Sequence, residues 1–263
     1  MISAQELRKV ARDRGLALDL VEKDYALGWL LYGVASSSIS SRIAFKGGTA
    51  LSKIYFPSQW RLSEDLDFTL LDDSDLSTLA DGLSKEVPHN IQEASGISVA
   101  MKKTPFNNPN YLQTRFQYSG PISKNTVKIE VSKERFIGPV VRKSLQRMFD
   151  YHEFEVRVYS IENILSEKIR TLLERGKVKD YYDVWQMLKV QEFPADVVKP
   201  LFFEKCKAKG ISFDSVEQMF PSDIVSKLTP HMKIGLTRLS PEPLPSLTII
   251  INELRTKLTT LLA

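Results

Sequence analysis

The stretch IAFKGGTALSKIYFPSQWRLSEDLDF, residues 43–68, contains two patterns whose combination decides the fold. Its first half is a short apolar strand that is broken by Gly47 and Gly48, after which Thr49 can cap a new helix. Glycine lets the backbone approach a ligand closely, and a helix N-terminus presents N–H groups that bind phosphate. The pattern indicates a phosphate-binding turn, with Lys46 as a further phosphate contact, although such glycines alone are more often a plain tight turn.

The second half of the stretch places acids in a predicted strand. Asp65 and Asp67 are two residues apart, so both project from one face, whereas Glu64 points the other way. Adjacent carboxylates repel each other unless a cation neutralises them, and Mg²⁺ favours carboxylates together with phosphate oxygens. Glu130, in the strand VKIEVS, is the natural third acid. We expect two Mg²⁺ ions at these three acids; an exposed acidic strand face is the more ordinary alternative for the pair alone.

The composition is that of an ordinary globular chain of 263 residues, with 43% hydrophobic and 26% charged residues. The single cysteine, Cys206, excludes a disulfide framework within the chain and favours a reducing compartment. The N-terminus lacks the apolar core of a signal peptide, and no apolar run approaches the roughly 20 residues that span a bilayer. We therefore expect a cytoplasmic protein with no membrane segment. The net charge of +4 is compatible with a nucleic-acid partner but does not indicate one.

The hydrophobic periodicity changes near residue 160. Before it, alternating segments such as YLQTRFQYS and NTVKIEVS predict neighbouring antiparallel strands, preceded by N-terminal helices. After it, IENILSEKIRTLLER and DYYDVWQMLKV are typical of helices with a buried stripe. We predict an α/β domain over residues 1–159 and a helical domain over residues 160–263.

Several motifs now occur in an order that resembles a known family. A glycine turn, an Asp-x-Asp strand and a later acidic strand follow the order of the polymerase-β-type nucleotidyltransferase core. FKGGTALSKIYF and RLSEDLDF resemble the AbiEii/AbiGii nucleotidyltransferase toxin family, which includes the MenT-like toxins. LVEKDYALGWLL is similar to that family's N-terminal helix, and IENILSEKIRTLLERGKVKDYYDVWQML to its C-terminal signature. The resemblance covers about residues 21–188 and implies an α/β fold, in which a polymerase-β-like mixed sheet precedes a helical domain that contributes to the active site.

The resemblance also implies roles for individual residues. Asp65 and Asp67 match the metal-binding pair, and Glu130 matches a looser third acid. Lys168 would hold nucleotide phosphates as a point charge, and Asp180 would serve as a general base or a positioning group. Many relatives have arginine where this chain has lysine before Asp180, which keeps the charge but loses bidentate hydrogen bonding. The nucleotide-binding residues implied by the family pattern are Gly47, Gly48, Thr49, Arg61 and Ser63.

The function implied by the resemblance is a magnesium-dependent nucleotidyltransferase that acts as a toxin in a toxin–antitoxin or phage-defence system. It would move NMP from an NTP to an acceptor, with the 3′ end of tRNA favoured, and a cognate antitoxin would be its partner. Two alternatives stay open: a protein or small-molecule acceptor, and an NTP-binding interaction module without turnover. A basic rim for RNA is conceivable, although a charge run is usually a solvated face; it comprises Lys133, Arg135, Arg142, Lys143 and Arg147.

Overall fold

The alternating strands of the first part of the chain pair into one sheet. The computed structural model describes residues 1–57, 60–102, 106–145, 148–241 and 243–263, with the main chain only at Asn107. Arg147 of the predicted basic rim thus lies outside the described residues. The chain divides into two units, Met1–Tyr159 and Ser160–Ala263.

The sheet of the first unit is mixed, in agreement with the predicted fold class. Its strands lie in the order β3-β5-β6-β2-β1-β8-β7, and β4 pairs with β5. β1 is parallel to β8 and β2 is parallel to β6, while the other pairs are antiparallel, including the predicted neighbours β5 and β6. The strands are β1 (Ile43–Lys46), β2 (Asp65–Leu70), β3 (Ser98–Met101), β4 (Phe106–Asn108), β5 (Tyr111–Ser119), β6 (Lys124–Ser132), β7 (Val140–Ser144) and β8 (Glu155–Tyr159).

Helices pack against this sheet, and the second of them is buried along most of its length. It is apolar on nearly all sides, a property of helices within a core. The third helix begins at the double glycine and continues into a π-helical turn over Leu51–Tyr55. The helices of the first unit are α1 (Ala4–Asp13), α2 (Leu18–Ala35), α3 (Gly47–Ala50) and α4 (Val87–Ser95).

Charged residues of α2 fix it to the sheet and to α3. Glu22 is 1% exposed, and its carboxylate accepts hydrogen bonds from the N–H groups of Ile122 and Ser123 in the turn between β5 and β6. Asp24 is buried as well, with its Oδ1 2.8 Å from Nζ of Lys53, which follows α3 in the π-helical turn. These contacts connect α2 to the π-helical turn that follows the glycine turn, and to the turn that precedes β6, the strand of the third acid.

The second unit is helical, as the periodicity predicts. Ser160 caps its first helix by accepting a hydrogen bond from the N–H of Asn163. Among the described residues, none of the helices has the length and apolarity needed to span a membrane. The helices are α5 (Ile161–Glu174), α6 (Val178–Val190), α7 (Ala195–Lys209), α8 (Ile224–Gly235) and α9 (Leu247–Leu262).

The buried ion pair between Asp24 and Lys53 yields a stability prediction. Burial lowers the pKa of Lys53, and the neighbouring Asp24 counteracts that shift. Lys53→Met would leave the Asp24 carboxylate buried without its closest cation, so we expect a loss of about 3–5 kcal/mol in the free energy of unfolding. Urea denaturation measures it. Lys9→Met, which breaks an exposed pair with Asp13, is the control and should cost less than about 1 kcal/mol. Equal losses in the two variants would contradict the expectation.

Candidate functional site

The strand register brings the predicted acids to one face of the sheet. Asp67 of β2 lies opposite Lys46 of β1 on one side and opposite Glu130 of β6 on the other. Two residues earlier on the same two strands, Asp65 of β2 lies opposite Lys128 of β6. Since alternate residues of a strand share a face, all five side chains project from the same side of the sheet. The two acids of β2 and the acid of β6 are therefore neighbours.

The double glycine lies directly against this acidic row. Gly47 has a φ of +76°, and a Cβ atom at this position would overlap the Oδ2 atom of Asp67 and lie 3.1 Å from its Cγ. A Cβ atom at Gly48 would lie 3.1 Å from a guanidinium nitrogen of Arg61 and 3.4 Å from the Oγ of Ser63. The two halves of the opening sequence stretch thus meet at the glycines, where no side chain separates them.

Thr49 does not have the capping role that the sequence predicts. The helix begins at Gly47, and its N-cap is Lys46, three residues before the predicted cap, with no side-chain cap hydrogen bond. Thr49 lies in the first turn, and its hydroxyl donates a hydrogen bond to the main-chain carbonyl of Asp65. The prediction of a threonine cap is therefore wrong, because the strand turns into the helix at the first glycine. The hydroxyl instead connects the glycine turn to the start of β2.

Basic and polar residues surround the turn. Arg61 is 2% exposed, and one of its guanidinium nitrogens donates a hydrogen bond of 3.1 Å to the carbonyl of Leu62. The Nζ of Lys46 lies 3.2 Å from the Oε1 of Glu134 and 5.6 Å from the ring centroid of Tyr159. Lys46 therefore pairs with an acid that is not among the predicted site residues. Glu64, which the alternation excludes from the site, pairs with a lysine of α2 at 3.6 Å.

The acidic row is electrostatically uneven. Burial, reinforced by the negative charge of Glu130, raises the pKa of Asp67 to about 7, while Lys46 opposes the rise. Burial alone would raise the pKa of Glu130 too, but hydrogen bonds from Tyr111 and Lys128 outweigh it and lower that pKa. Without a bound cation, Asp67 is thus the acid that holds a proton near neutral pH. A divalent cation would displace that proton.

Lys128 and Tyr111 complete the row, and neither is predicted from the sequence. The Nζ of Lys128 lies 3.0 Å from the Oε1 of Glu130 and 3.4 Å from the Oδ2 of Asp65. The hydroxyl of Tyr111 donates a hydrogen bond to the same Oε1 atom of Glu130. Hydrogen bonding to Glu130 and the charge of Asp65 outweigh burial and raise the pKa of Lys128. The available signal is the position of Lys128, two residues before Glu130 on the same strand face.

The oxygen donors present fit a magnesium ion at the acidic pair. Asp65 and Asp67 offer hard carboxylate oxygens beside a glycine turn, and Mg²⁺ is commonly held by one or two carboxylates together with phosphate oxygens. Burial and the charge of Glu130 raise the pKa of Asp67, and a bound cation would oppose that rise. Over the described ranges, however, no three histidine, cysteine, aspartate or glutamate residues form a group that could hold a metal ion.

The two predicted residues of the second unit lie in a charged cluster of their own. Lys168 of α5 is 8% exposed, and its Nζ lies 2.8 Å from Oδ2 of Asp183 and 3.7 Å from Oδ1 of Asp180. Asp180 is 1% exposed and accepts two hydrogen bonds of 2.9 Å from the guanidinium of Arg175. An aspartate fixed by a bidentate arginine is suited to positioning its neighbours. The sequence assigns no role to Asp183, which is the closest acid to Lys168.

The family match covers most of the chain. The model of the family described as "Nucleotidyl transferase AbiEii toxin, Type IV TA system" matches residues 29–248. The chain belongs to the AbiEii nucleotidyltransferase toxin family. The predicted family is thereby confirmed, and the match includes the glycine turn, the acidic row and the charged cluster of the second unit. AbiEii proteins are toxins of type IV toxin–antitoxin systems.

Solved structures show the same fold as this AbiEii chain. MenT4, a nucleotidyltransferase toxin from Mycobacterium tuberculosis H37Rv, is 16% identical, with a TM-score of 0.66 over 99% of this chain and 90% of MenT4. JHP933 from Helicobacter pylori is 18% identical, with a TM-score of 0.58 over 94% of this chain and 93% of JHP933. No curated protein matches the sequence. The predicted nucleotidyltransferase fold class is confirmed.

The geometry at Gly47 yields a prediction with a matched control. Gly47 and Gly96 both have positive φ, at +76° and +72°, but a Cβ atom at Gly96 would have no neighbour within 4 Å among the described residues. Alanine at either position should cost about 1–2 kcal/mol from the backbone alone. Gly47→Ala should cost at least about 1 kcal/mol more, because its methyl group overlaps Asp67. Urea denaturation of both variants measures the difference. Equal losses would show that Gly47 does not contact Asp67.

The raised pKa of Asp67 predicts how stability depends on pH. A carboxyl whose folded-state pKa is raised from 3.8 to about 7 favours the folded state at low pH. That contribution is lost as the pH rises from about 4 through 7. Asp67→Asn removes the titration, so in metal-free buffer the variant should be more stable than the wild type by about 4 kcal/mol at pH 8 and equally stable at pH 4. Thermal unfolding of both proteins between pH 4 and pH 8 measures this difference in stability. A difference that does not change with pH would contradict the raised pKa of Asp67.

Proposed function

We propose that this AbiEii protein is a magnesium-dependent nucleotidyltransferase that transfers NMP from an NTP to the 3′ end of tRNA, blocks translation and is controlled by an antitoxin. One observation carries the proposal for the reaction type: the glycine turn lies directly against the acidic pair, with Gly47 in contact with Asp67. Phosphate groups held at the turn would be placed beside the carboxylates that hold the cation. Neither half of the site would support phosphoryl chemistry without the other.

The residues around the turn have complementary tasks in this reaction. The N–H groups at Gly48 and Thr49 receive the triphosphate, and the guanidinium of Arg61, close to Gly48, adds positive charge beside it. Asp65 and Asp67 would hold Mg²⁺, which supplies charge neutralisation and activation of the attacking hydroxyl. Ser63 would donate a hydrogen bond to phosphate, and the closeness of its Oγ to Gly48 supports this role.

The reaction exchanges one phosphoester bond for another. The 3′ hydroxyl oxygen attacks the α-phosphorus, the bond from that phosphorus to the bridging α,β oxygen breaks, and pyrophosphate leaves with the electron pair. The hydroxyl proton passes to solvent water, because the carboxylates of Asp65 and Asp67 would both be bound to the cation. The transfer depends on positioning and charge neutralisation more than on covalent catalysis.

The family pattern adds residues of the second unit to the proposal. Lys168 is proposed to contact the nucleotide phosphates, as the resemblance implies. Asp180, fixed by Arg175, is proposed to position the lysine rather than to accept a proton, because both of its oxygens already accept hydrogen bonds from the guanidinium. Asp183 would share the positioning role through its close contact with the Lys168 ammonium.

The tRNA acceptor rests on the family resemblance and receives limited support from charge. Arg142 and Lys143 are both exposed in the strand β7, where they could contact an RNA backbone. Lys133, in contrast, donates hydrogen bonds to the carbonyls of Asp73 and Ser74, so it supports a loop. The acceptor therefore has to be identified by experiment.

The decisive experiment incubates the purified protein with Mg²⁺, each labelled NTP in turn, and total tRNA. We expect the label to appear in RNA together with released pyrophosphate. Asp65→Asn, which keeps the side-chain shape but removes one ligand charge, should reduce transfer by at least about 10²–10³-fold. Asp73→Asn, an exposed aspartate after the same strand, is the control and should leave transfer unchanged.

The distribution of the label decides between the acceptors. Label in a protein or a small molecule would replace tRNA as the acceptor and leave the reaction type intact. Absence of transfer to any acceptor, with NTP still bound, would favour an interaction module and overturn the proposal. Lys168→Met in the same assay tests the phosphate contact. Loss of that contact should raise the NTP concentration needed for half-maximal rate.

A further inference from the structure

An ammonium group lies between the carboxylates at the position where the sequence predicts shared metal coordination. The register places Lys128 beside Asp65, and Glu130 follows two residues later on the same strand face. The ammonium is 3.4 Å from Asp65 and 3.0 Å from Glu130, and the lysine side chain is 24% exposed. Lys128 therefore bridges the first and third acids of the predicted metal site.

Glu130 has other partners besides this lysine. Its Oε1 atom accepts a hydrogen bond from Tyr111 and lies 3.0 Å from the Nζ of Lys128. A cation at this Oε1 atom would have to displace both donors, and each loss would leave a half-buried polar group unpaired. The lack of a three-residue metal cluster among the described residues agrees with this arrangement.

We propose that the Lys128 ammonium takes the place of the second metal ion, so that the site uses a single divalent cation at Asp65 and Asp67. This inference rests on the proposed nucleotidyltransferase function and deepens it. A two-ion site needs positive charge between Asp65 and the third acid. Here the +1 charge of Lys128 offsets part of the negative charge of that pair without being taken up from solution.

The ammonium can also act on the substrate. It has three N–H donors, and within the described part of the chain the two carboxylates account for two of them. The third can donate to an oxygen of the acceptor or of the α-phosphate. Lys128 would then contribute charge where negative charge develops in the transition state, which is the task of an ion in two-metal sites.

A consequence is that the metal dependence should be first order. The wild type needs one cation bound in its active site. A plot of the logarithm of its rate against the logarithm of the Mg²⁺ concentration should therefore have a slope of about one at low Mg²⁺. Removing the lysine charge leaves Asp65 and Glu130 without their cation and creates room for a second ion. Lys128→Met should therefore bind two ions, and its rate should rise with a slope of about two.

The test combines a binding measurement with kinetics. Mn²⁺ is titrated into the full chain with saturating non-hydrolysable NTP analogue, and bound ions are counted by electron paramagnetic resonance. We expect one bound ion per chain in the wild type and two in Lys128→Met. At limiting Mg²⁺ the variant should be about 10- to 100-fold slower than the wild type, and it should approach the wild type when Mg²⁺ is abundant.

Two further variants make the result interpretable. Lys128→Arg keeps the charge and should bind one ion, which also covers the case in which the methionine variant does not fold. Lys124→Met removes the same charge from the same strand face, about 13 Å away at the exposed start of β6, and should behave like the wild type.

The failure of this inference can be told apart from the failure of the proposed function. A wild type that transfers nucleotide but binds two ions, or a Lys128→Met variant that keeps one ion and a slope of one, would overturn the role of Lys128 only. A wild type that neither binds Mn²⁺ with nucleotide nor transfers label would overturn both.

Discussion

The close approach of Gly47 to Asp67 is the constraint on which the rest of the site depends. It brings the start of α3 to the middle of the acidic row, and it is compatible only with a residue that has no side chain and accepts a positive φ. The pairing of β1 with β2 sets the distance, and the hydroxyl of Thr49 ties the turn to the main chain at Asp65. The supporting contacts of α2, at Glu22 and Asp24, hold the flanking segments in place.

Charge balance is the second determinant of the site. Three acids and two lysines project from one sheet face, and their interactions are unequal. Glu130 is stabilised as an anion by Tyr111 and Lys128, whereas Asp67 is not, although Lys46 is its neighbour. Lys46 is partly engaged by Glu134. The charge of Glu130 is therefore balanced by groups of the protein, whereas that of Asp67 would be balanced by a cation from solution.

The sequence was informative wherever the relevant contacts are local. Alternation within β2 is enough to place Asp65 and Asp67 on one face and Glu64 on the other, and two consecutive glycines after a strand indicate a close backbone approach. The two helical segments after residue 160 likewise follow from their periodicity. These features depend on neighbours along the chain, which a pattern can read.

The partners of these residues depend on register between distant segments, which no local pattern reveals. Lys128 lies opposite Asp65 because β6 pairs in parallel with β2, and a lysine at an alternate position of a strand is usually solvated. Glu134 and Tyr111 are likewise brought in from loops and strands far along the chain. The predicted start of α3 is three residues too late, because the sequence does not show that a strand can pass directly into a helix at Gly47.

The conformation at Gly47 has a further consequence for a family of toxins. Every single-base change of a glycine codon that alters the residue introduces a side chain or ends the protein. At this position any such side chain strains the backbone and overlaps Asp67 in the acidic row. In a host that carries an uncontrolled copy of the gene, nearly every substitution at this codon would therefore inactivate the toxin, whereas substitutions at the exposed Arg142 and Lys143 of β7 would seldom do so. The turn that makes the site compact also makes it genetically fragile.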